Sequence, residues 1–434
     1  MDARRREQTG WYFYDFANSA FSTTVVTLFL GPYLTRLAQA GQKPDGYIYP
    51  LGIPVDPRSY WAYLVAVSVA SQVVFLPLIG ALADYSRNRK RLLALFAYIG
   101  AASTVAMYAL KGAAWLFGGV LFLIANLALG ASVVVYNSFL PDIATEAERD
   151  AVSSKGWGIG YLGGGALLGL NLLLFFNAGR FGLTQAETVR ISFASAGLWW
   201  AVFTIIPLAA LRNRPPIRQP SPSKDILRTG FIQLWRTLRD LRQYPQTVVF
   251  LIAYLLYSDA IQTVITLSTE FGNQALKIPM ASLTLLILMV QFVAFFGAIA
   301  FNWIAAAIGA KRAVMFALVL WTGVLVAVYA FVRTATQFFV VGAVVGLIMG
   351  GSQALSRSLY SLMIPKSKKA EYFGLYEITD KGTSWITPLL FGLTLQFTGS
   401  FRLAILSLVV FFIAGLAFLA RVDVRRAIRQ AGNE

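Results

Sequence analysis

Apolar segments about as long as a bilayer is thick recur along the whole chain, and they leave few folds open. By hydropathy the spans fall at 11–37, 59–83, 91–110, 113–136, 152–177, 189–211, 247–271, 281–306, 311–331, 336–362, 371–397 and 401–421. Each is close to or longer than the ~20 residues a helix needs to cross hydrocarbon. Lipid offers no partner for a free N–H or C=O, so segments of this length must cross as helices. Composition agrees: 57% of the 434 residues are hydrophobic and 13% charged, against about 25% charged in a soluble domain. The expected fold is an all-α membrane protein with twelve transmembrane helices.

The net charge of +17 is a topology signal. Basic residues cluster at Arg4–Arg6, Arg87–Arg91, Arg212–Arg242, Lys311–Arg312, Lys366–Lys369 and Arg421–Arg429, between apolar runs. On a twelve-span path these clusters share one side, so the positive-inside rule predicts a multi-pass protein of the cell (inner) membrane with both termini cytoplasmic. The distribution does not suit nucleic acid. With His 0 and Cys 0 there is no imidazole or thiolate for catalysis, proton relay or metal binding. No Walker-type glycine loop occurs either, so neither an enzyme, a cofactor nor a metal site is expected. The N-terminal MDARRREQTG leads directly into the first span, with no cleavable signal peptide.

The chain divides most clearly between spans six and seven. Residues 212–222, RNRPPIRQPSP, suit an extended linker. Ile226, Leu227, Phe231, Leu234, Trp235, Leu238 and Leu241 then recur at helical spacing with Lys224, Arg228, Arg236, Arg239 and Arg242 between them, a basic amphipathic helix for the membrane surface. The two flanking halves echo each other. Tyr14-Asp15 returns as Tyr257-Ser258-Asp259, Lys90-Arg91 as Lys311-Arg312, and the stretch Tyr136 to Pro141 as Ser358 to Pro365. Three echoes in one order argue for a duplicated unit. The expected domains are an N-terminal six-helix bundle at 1–211, a cytoplasmic linker at 212–245 and a C-terminal six-helix bundle at 246–434.

Several spans carry polar groups that a lipid-facing helix would not keep. Asp15, Asn18 and Ser22 lie at i, i+3 and i+7, one face of a helix, with Ser19 beside them. A charged side chain near the bilayer centre costs about 2.5–3.5 kcal/mol on insertion scales, so that face should look into protein or water. Span seven repeats the device with Asp259, Gln262, Thr263, Thr266 and Glu270, and Asp259 lies about halfway along it. Span ten carries Gln353 and Arg357 with Tyr360 next on that face, and span eleven carries Glu377 and Lys381, four apart, beside Asp380. Gly156, Gly160 and Gly164 form a small-residue ridge suited to close helix packing.

Gly80 to Arg91, GALADYSRNRKR, resembles the loop signature of the major facilitator superfamily between spans two and three. Gly80, Leu82, Ala83, Asp84, Arg89, Lys90 and Arg91 match it, while Tyr85, Arg87 and Asn88 depart from it. The resemblance implies two pseudo-symmetric six-helix bundles. It also implies a cytoplasmic gate at Gly80, Asp84, Arg89, Lys90 and Arg91, in which Asp84 seeks a basic residue or the start of span eleven. Spans one, four, seven and ten of that superfamily line a central cavity, which would let Arg357 face Asp15 or Asp259. Three longer stretches, 11–21, 136–165 and 350–392, are similar to the vacuole effluxer-like (autophagy-related) permeases.

These features predict a secondary active transporter working by alternating access on a small, amino-acid-like solute, in the direction of export. Substrate contact or proton coupling is expected at Asp15, Asn18, Ser22, Asp259, Gln262, Gln353, Arg357, Glu377 and Lys381. A drug- or lipid-type exporter of the same superfamily is the alternative, and a non-transporting membrane scaffold a third reading. Expected partners are the small-molecule substrate, protons and membrane lipids, with the chain acting as a monomer and binding no nucleic acid.

Overall fold

The computed structural model describes residues 3–145, 148–214, 239, 241–364 and 384–432. Apart from an isolated bridge between Ile48 and Val55, the described elements are helical. The chain forms two compact units: Met1–Tyr60 with Ser71–Gly230, and Trp61–Ala70 with Phe231–Glu434. The amphipathic helix expected over Ile226–Arg242 falls almost wholly outside the described residues.

In the first unit the helices are α1 (Ala3–Ala20), α2 (Leu30–Ala40), α3 (Tyr60–Tyr85), α4 (Arg89–Ala106), α5 (Trp115–Asn137), the short α6 (Leu140–Ile143), α7 (Arg149–Asn177) and α8 (Gln185–Ala210). The first ten residues of α3 past Tyr60 belong to the second unit. That unit continues with α9 (Pro245–Gln274), α10 (Met280–Ile308), α11 (Ala310–Ala330), α12 (Ala335–Leu362), α13 (Ile386–Thr398), α14 (Phe401–Ser407), α15 (Val409–Arg421) and α16 (Val424–Gln430). Ten of the described helical stretches are long and apolar enough to cross a membrane. The two other expected spans are α1 continuing through to α2, which carries Arg4–Arg6 and Asp15, and α13, whose upstream residues 365–383 lie outside the described chain. Large apolar side chains such as Leu162, Phe176, Phe292 and Trp303 stand exposed on the helices, as lipid-facing positions require.

The internal repeat is visible in which helices touch. In the first unit α1 packs on α7 and α8, and α4 packs on α5 and α8. In the second unit α9 packs on α13 and α15, and α11 packs on α12 and α15. Counting spans from each unit's start, these are the same four pairings. The aromatic echoes follow suit: Tyr14 lies 5.0 Å from Tyr136, and Phe250 stacks on Tyr360 at 6.0 Å. Helix starts repeat too. Thr184 with Glu187 and Thr334 with Gln337 form full capping boxes before α8 and α12, which start four and one residues earlier than hydropathy placed them.

Two spans depart from the regular helices expected. Between α1 and α2 the chain forms a π-helix, Phe21–Phe29. The Leu30 amide bonds to the Val25 carbonyl, and the Thr27 hydroxyl donates to the Ser22 carbonyl at 3.0 Å, both five residues back. The segment contains the unbroken β-branched run Thr23-Thr24-Val25-Val26-Thr27, which crowds an α-turn. Hydropathy places span eleven at 371–397, of which 371–383 lie outside the described residues. Ser384 and Trp385 form a turn and α13 begins at Ile386, with Pro388 in its first turn, where a missing N–H costs nothing.

Candidate functional site

Asp15 is half-buried on α1, with Asn18 buried and Ser19 and Ser22 half-buried near it. The hydroxyl of Tyr136, at the end of α5, donates to Asp15 Oδ2 at 2.9 Å. Tyr136 is itself fixed by Trp11, which stacks on it at 4.2 Å and donates from Nε1 to its carbonyl oxygen at 3.1 Å. The opposite wall is the glycine ridge of α7. A Cβ at Gly156 would lie 2.9 Å from Asp15 Oδ2, and one at Gly160 2.9 Å from Ser19 Oγ. The ridge thus gives the polar face of α1 room to lie against α7. At Gly163 an added Cβ would meet the Phe16 carbonyl oxygen at 2.3 Å. Because that obstacle is backbone, Gly163→Ala should cost about 1–3 kcal/mol. Denaturant unfolding in detergent checks this, and a variant as stable as the parent would refute the contact.

Asp259 occupies the equivalent position on α9 and has a different environment. It is 2% exposed, and its Oδ2 accepts the Thr387 amide N–H at 3.2 Å. Thr387 is the second residue of α13, so the carboxylate sits at the positive end of that helix. The Thr263 hydroxyl donates to the Asp259 carbonyl oxygen at 2.9 Å. Its 2.5 Å bond with Thr387 Oγ1 therefore takes the Thr387 proton. The stripe expected on this helix divides: Asp259, Thr263 and Glu270 are buried, Thr266 is half-buried and Gln262 is exposed. On α12 Gln353 is half-buried and Arg357 exposed, while Ser356 turns inward to bond the Tyr257 hydroxyl at 2.6 Å. Glu377 and Lys381 lie outside the described residues.

The expected gate residues separate. The side chain of Asp84 lies outside the described residues. Among the described residues, a Cβ at Gly80 would come no nearer than 3.6 Å to Val134, an ordinary contact. The turn into α4 uses the Ser86 hydroxyl as acceptor for the Asn88 amide at 3.1 Å. Lys90 is half-buried and Arg91 exposed. Arg89 is 1% exposed. It donates to the Ser138 carbonyl at 2.6 Å, pairs with Asp142 at 2.5 Å and lies over the Phe139 ring.

Asp142, Glu7 and Arg214 complete this network and were not read from the sequence. Arg214 bonds Glu7 at 2.8 Å and comes within 3.9 Å of Asp142. The Arg212 amide donates to Glu7 Oε1 at 3.1 Å. Arg4 and Gln8 both donate to the Ile143 carbonyl, at 3.1 and 2.8 Å, and Arg4 pairs with Glu148. The Thr145 hydroxyl and amide, with Arg4 nearby, hold the Glu148 carboxyl below its ordinary pKa. Hydropathy marks these residues as loop charge, and only their partners show that they tie α1, α4, α6 and the end of α8 together. Gln72 is a further buried polar group inside a span, donating to the Asn126 carbonyl at 3.2 Å.

A family described as vacuole effluxer Atg22 like matches residues 3–432. The MFS-type transporter YxiO of Bacillus subtilis (strain 168) is 30% identical over 421 residues, covering 96% of this chain and 95% of that protein. Autophagy-related protein 22-1 of Penicillium rubens is 27% identical, covering 98% and 91%. Among solved structures, the nucleoside transporter NupG superposes with a TM-score of 0.67 at 13% identity, covering 97% of this chain and 99% of that one. A D-xylose-proton symporter superposes with a TM-score of 0.66 at 12% identity, covering 96% and 97%. Those two likenesses bear on the fold, which is that of major facilitator transporters. With a family match from end to end of the described helices, the chain belongs to the vacuole effluxer Atg22-like family of MFS-type membrane transporters.

Proposed function

We propose that this transporter moves a small amino-acid-like solute out of the cytoplasm by secondary transport, in the cell membrane and with both termini cytoplasmic. The observation that supports this is a carboxylate kept at the equivalent position of each repeat, despite the cost of charge in a membrane. Asp15, half-buried and accepting the Tyr136 hydroxyl, keeps accepting capacity for an ammonium group. The carboxylate of such a solute needs a cationic partner in turn, of the guanidinium type. A zwitterion needs both. The rings of Trp11 and Tyr136 beside Asp15 favour a second reading, an amphiphilic cation held by one acid and aromatic faces.

Purified protein in vesicles, screened with labelled amino acids under an imposed pH gradient, tests the proposal. Amino-acid exchange should be measurable, and Asp15→Asn should lower it roughly tenfold or more, as expected for losing one charge-assisted bond. Movement of amphiphilic cations alone would establish the second reading. Parental exchange in the Asn variant would remove Asp15 from substrate contact.

A further inference from the structure

Where α1, α4 and the end of α8 meet, a cavity of about 360 Å³ opens, lined by Arg6, Lys90, Arg212, Asn213 and the last turn of α8. Its volume falls in the ~300–1,000 Å³ range of small-ligand sites. Three of the lining side chains are cationic, and none of the described carboxylates pairs with them. The nearby acids are engaged elsewhere: Glu7 with Arg214 and the Arg212 amide, Asp142 with Arg89. The first turn of α4 holds Arg89, Lys90 and Arg91 and no acid, at the positive end of that helix. Asn213 Oδ1 accepts the Lys90 amide at 3.1 Å and fixes the chain after α8 against α4. The end of α8 brings about half a negative charge to the cavity, against three full positive ones. The excess is large, and it lies on the side that the basic clusters assign to the cytoplasm.

We propose that this cavity binds the phosphate group of an anionic ligand, carried either by a lipid headgroup or by free phosphate. Arg6 and Arg212 supply guanidinium forks that fit phosphate oxygens, and Lys90 supplies a point charge. Arg6 on α1, Lys90 at the start of α4 and Arg212 just past α8 would then share one counter-ion.

The test uses the full chain in a neutral detergent, titrated separately with dioleoyl phosphatidylglycerol, dioleoyl phosphatidylcholine and inorganic phosphate, and read by native mass spectrometry. Phosphatidylglycerol or phosphate should saturate at one equivalent. The Arg6→Gln, Lys90→Gln, Arg212→Gln triple variant should weaken that binding roughly tenfold or more. A charge-matched triple away from the cavity, Arg5→Gln, Arg87→Gln, Arg425→Gln, should bind like the parent. Lipid binding without phosphate binding assigns the site to a headgroup, and phosphate that displaces the lipid assigns it to the free anion. If the cavity triple does not fold, Arg212→Gln against Arg212→Lys decides, with the larger loss expected for Gln. Parental affinity in the cavity variants, equal loss in the charge-matched triple, or no saturable binding of either anion would overturn the proposal.

Discussion

Arg89→Ala should lower the unfolding free energy of the first unit by about 3 kcal/mol, the lower end of the range for breaking a buried ion pair. The side chain is 1% exposed, and its removal leaves Asp142, among the described residues, with only the 3.9 Å approach of Arg214 and frees the Ser138 carbonyl. That residual approach is why the lower end applies. Arg89→Lys should recover part of the loss, because an ammonium keeps the charge but cannot hold Asp142 and Ser138 with one rigid fork. Replacing both partners, Arg89→Met with Asp142→Leu, should cost much less than the sum of the single changes, since no charge is then left buried alone. Denaturant unfolding in detergent, followed by tryptophan fluorescence, measures all five variants, the two single changes of the pair included. Additive losses would mean that the two residues act independently.

Arg89 also shows where a one-dimensional reading ends. Its cluster, Arg87–Arg91, is plain in the sequence as a basic group between apolar runs, and the expected span pattern follows from such clusters and from apolar length alone. Those are properties of each segment by itself. That one of these cations is buried, and that Asp142, Glu7 and Arg214 surround it, depends on partners far apart in the chain. The repeat was legible because it needs only internal comparison, and the packing of Tyr136 and Tyr360 on aromatics of the first and seventh spans gives its echoes a physical basis. The glycine ridge of α7 was legible as packing, but its partner, the polar face around Asp15 and Ser19, was not.

The departures from regular helix did leave signals in the sequence. Five β-branched residues from Thr23 to Thr27 and the Thr387-Pro388 pair both argue against an unbroken α-helix. Hydropathy outweighed them because every residue involved is compatible with a membrane. Capping boxes at Thr184 and Thr334 were likewise readable and would have placed two helix starts correctly.

Asp259→Asn should abolish accumulation driven by a pH gradient while leaving downhill exchange of substrate measurable. With no ATP-binding motif and no histidine in the chain, coupling to protons falls to carboxylates. Asp259 is the more deeply buried of the two equivalent acids, where neutralisation relieves the larger desolvation cost. A gradient of one pH unit is worth about 1.4 kcal/mol per proton, enough for about tenfold accumulation. The structure supplies a competing role, because the same carboxylate caps α13 through the Thr387 amide. Asparagine separates the two. Its side-chain oxygen can still accept that N–H, so the helix start is kept while the titratable charge is lost. Asp259→Ala removes both and should cost a further ~0.5–2 kcal/mol of stability, the value of a helix cap. Comparing the two variants for accumulation, exchange and unfolding decides between the roles. An Asn variant that still concentrates substrate, beside an Ala variant that is merely less stable, would make Asp259 a structural cap and move the coupling question to Asp15.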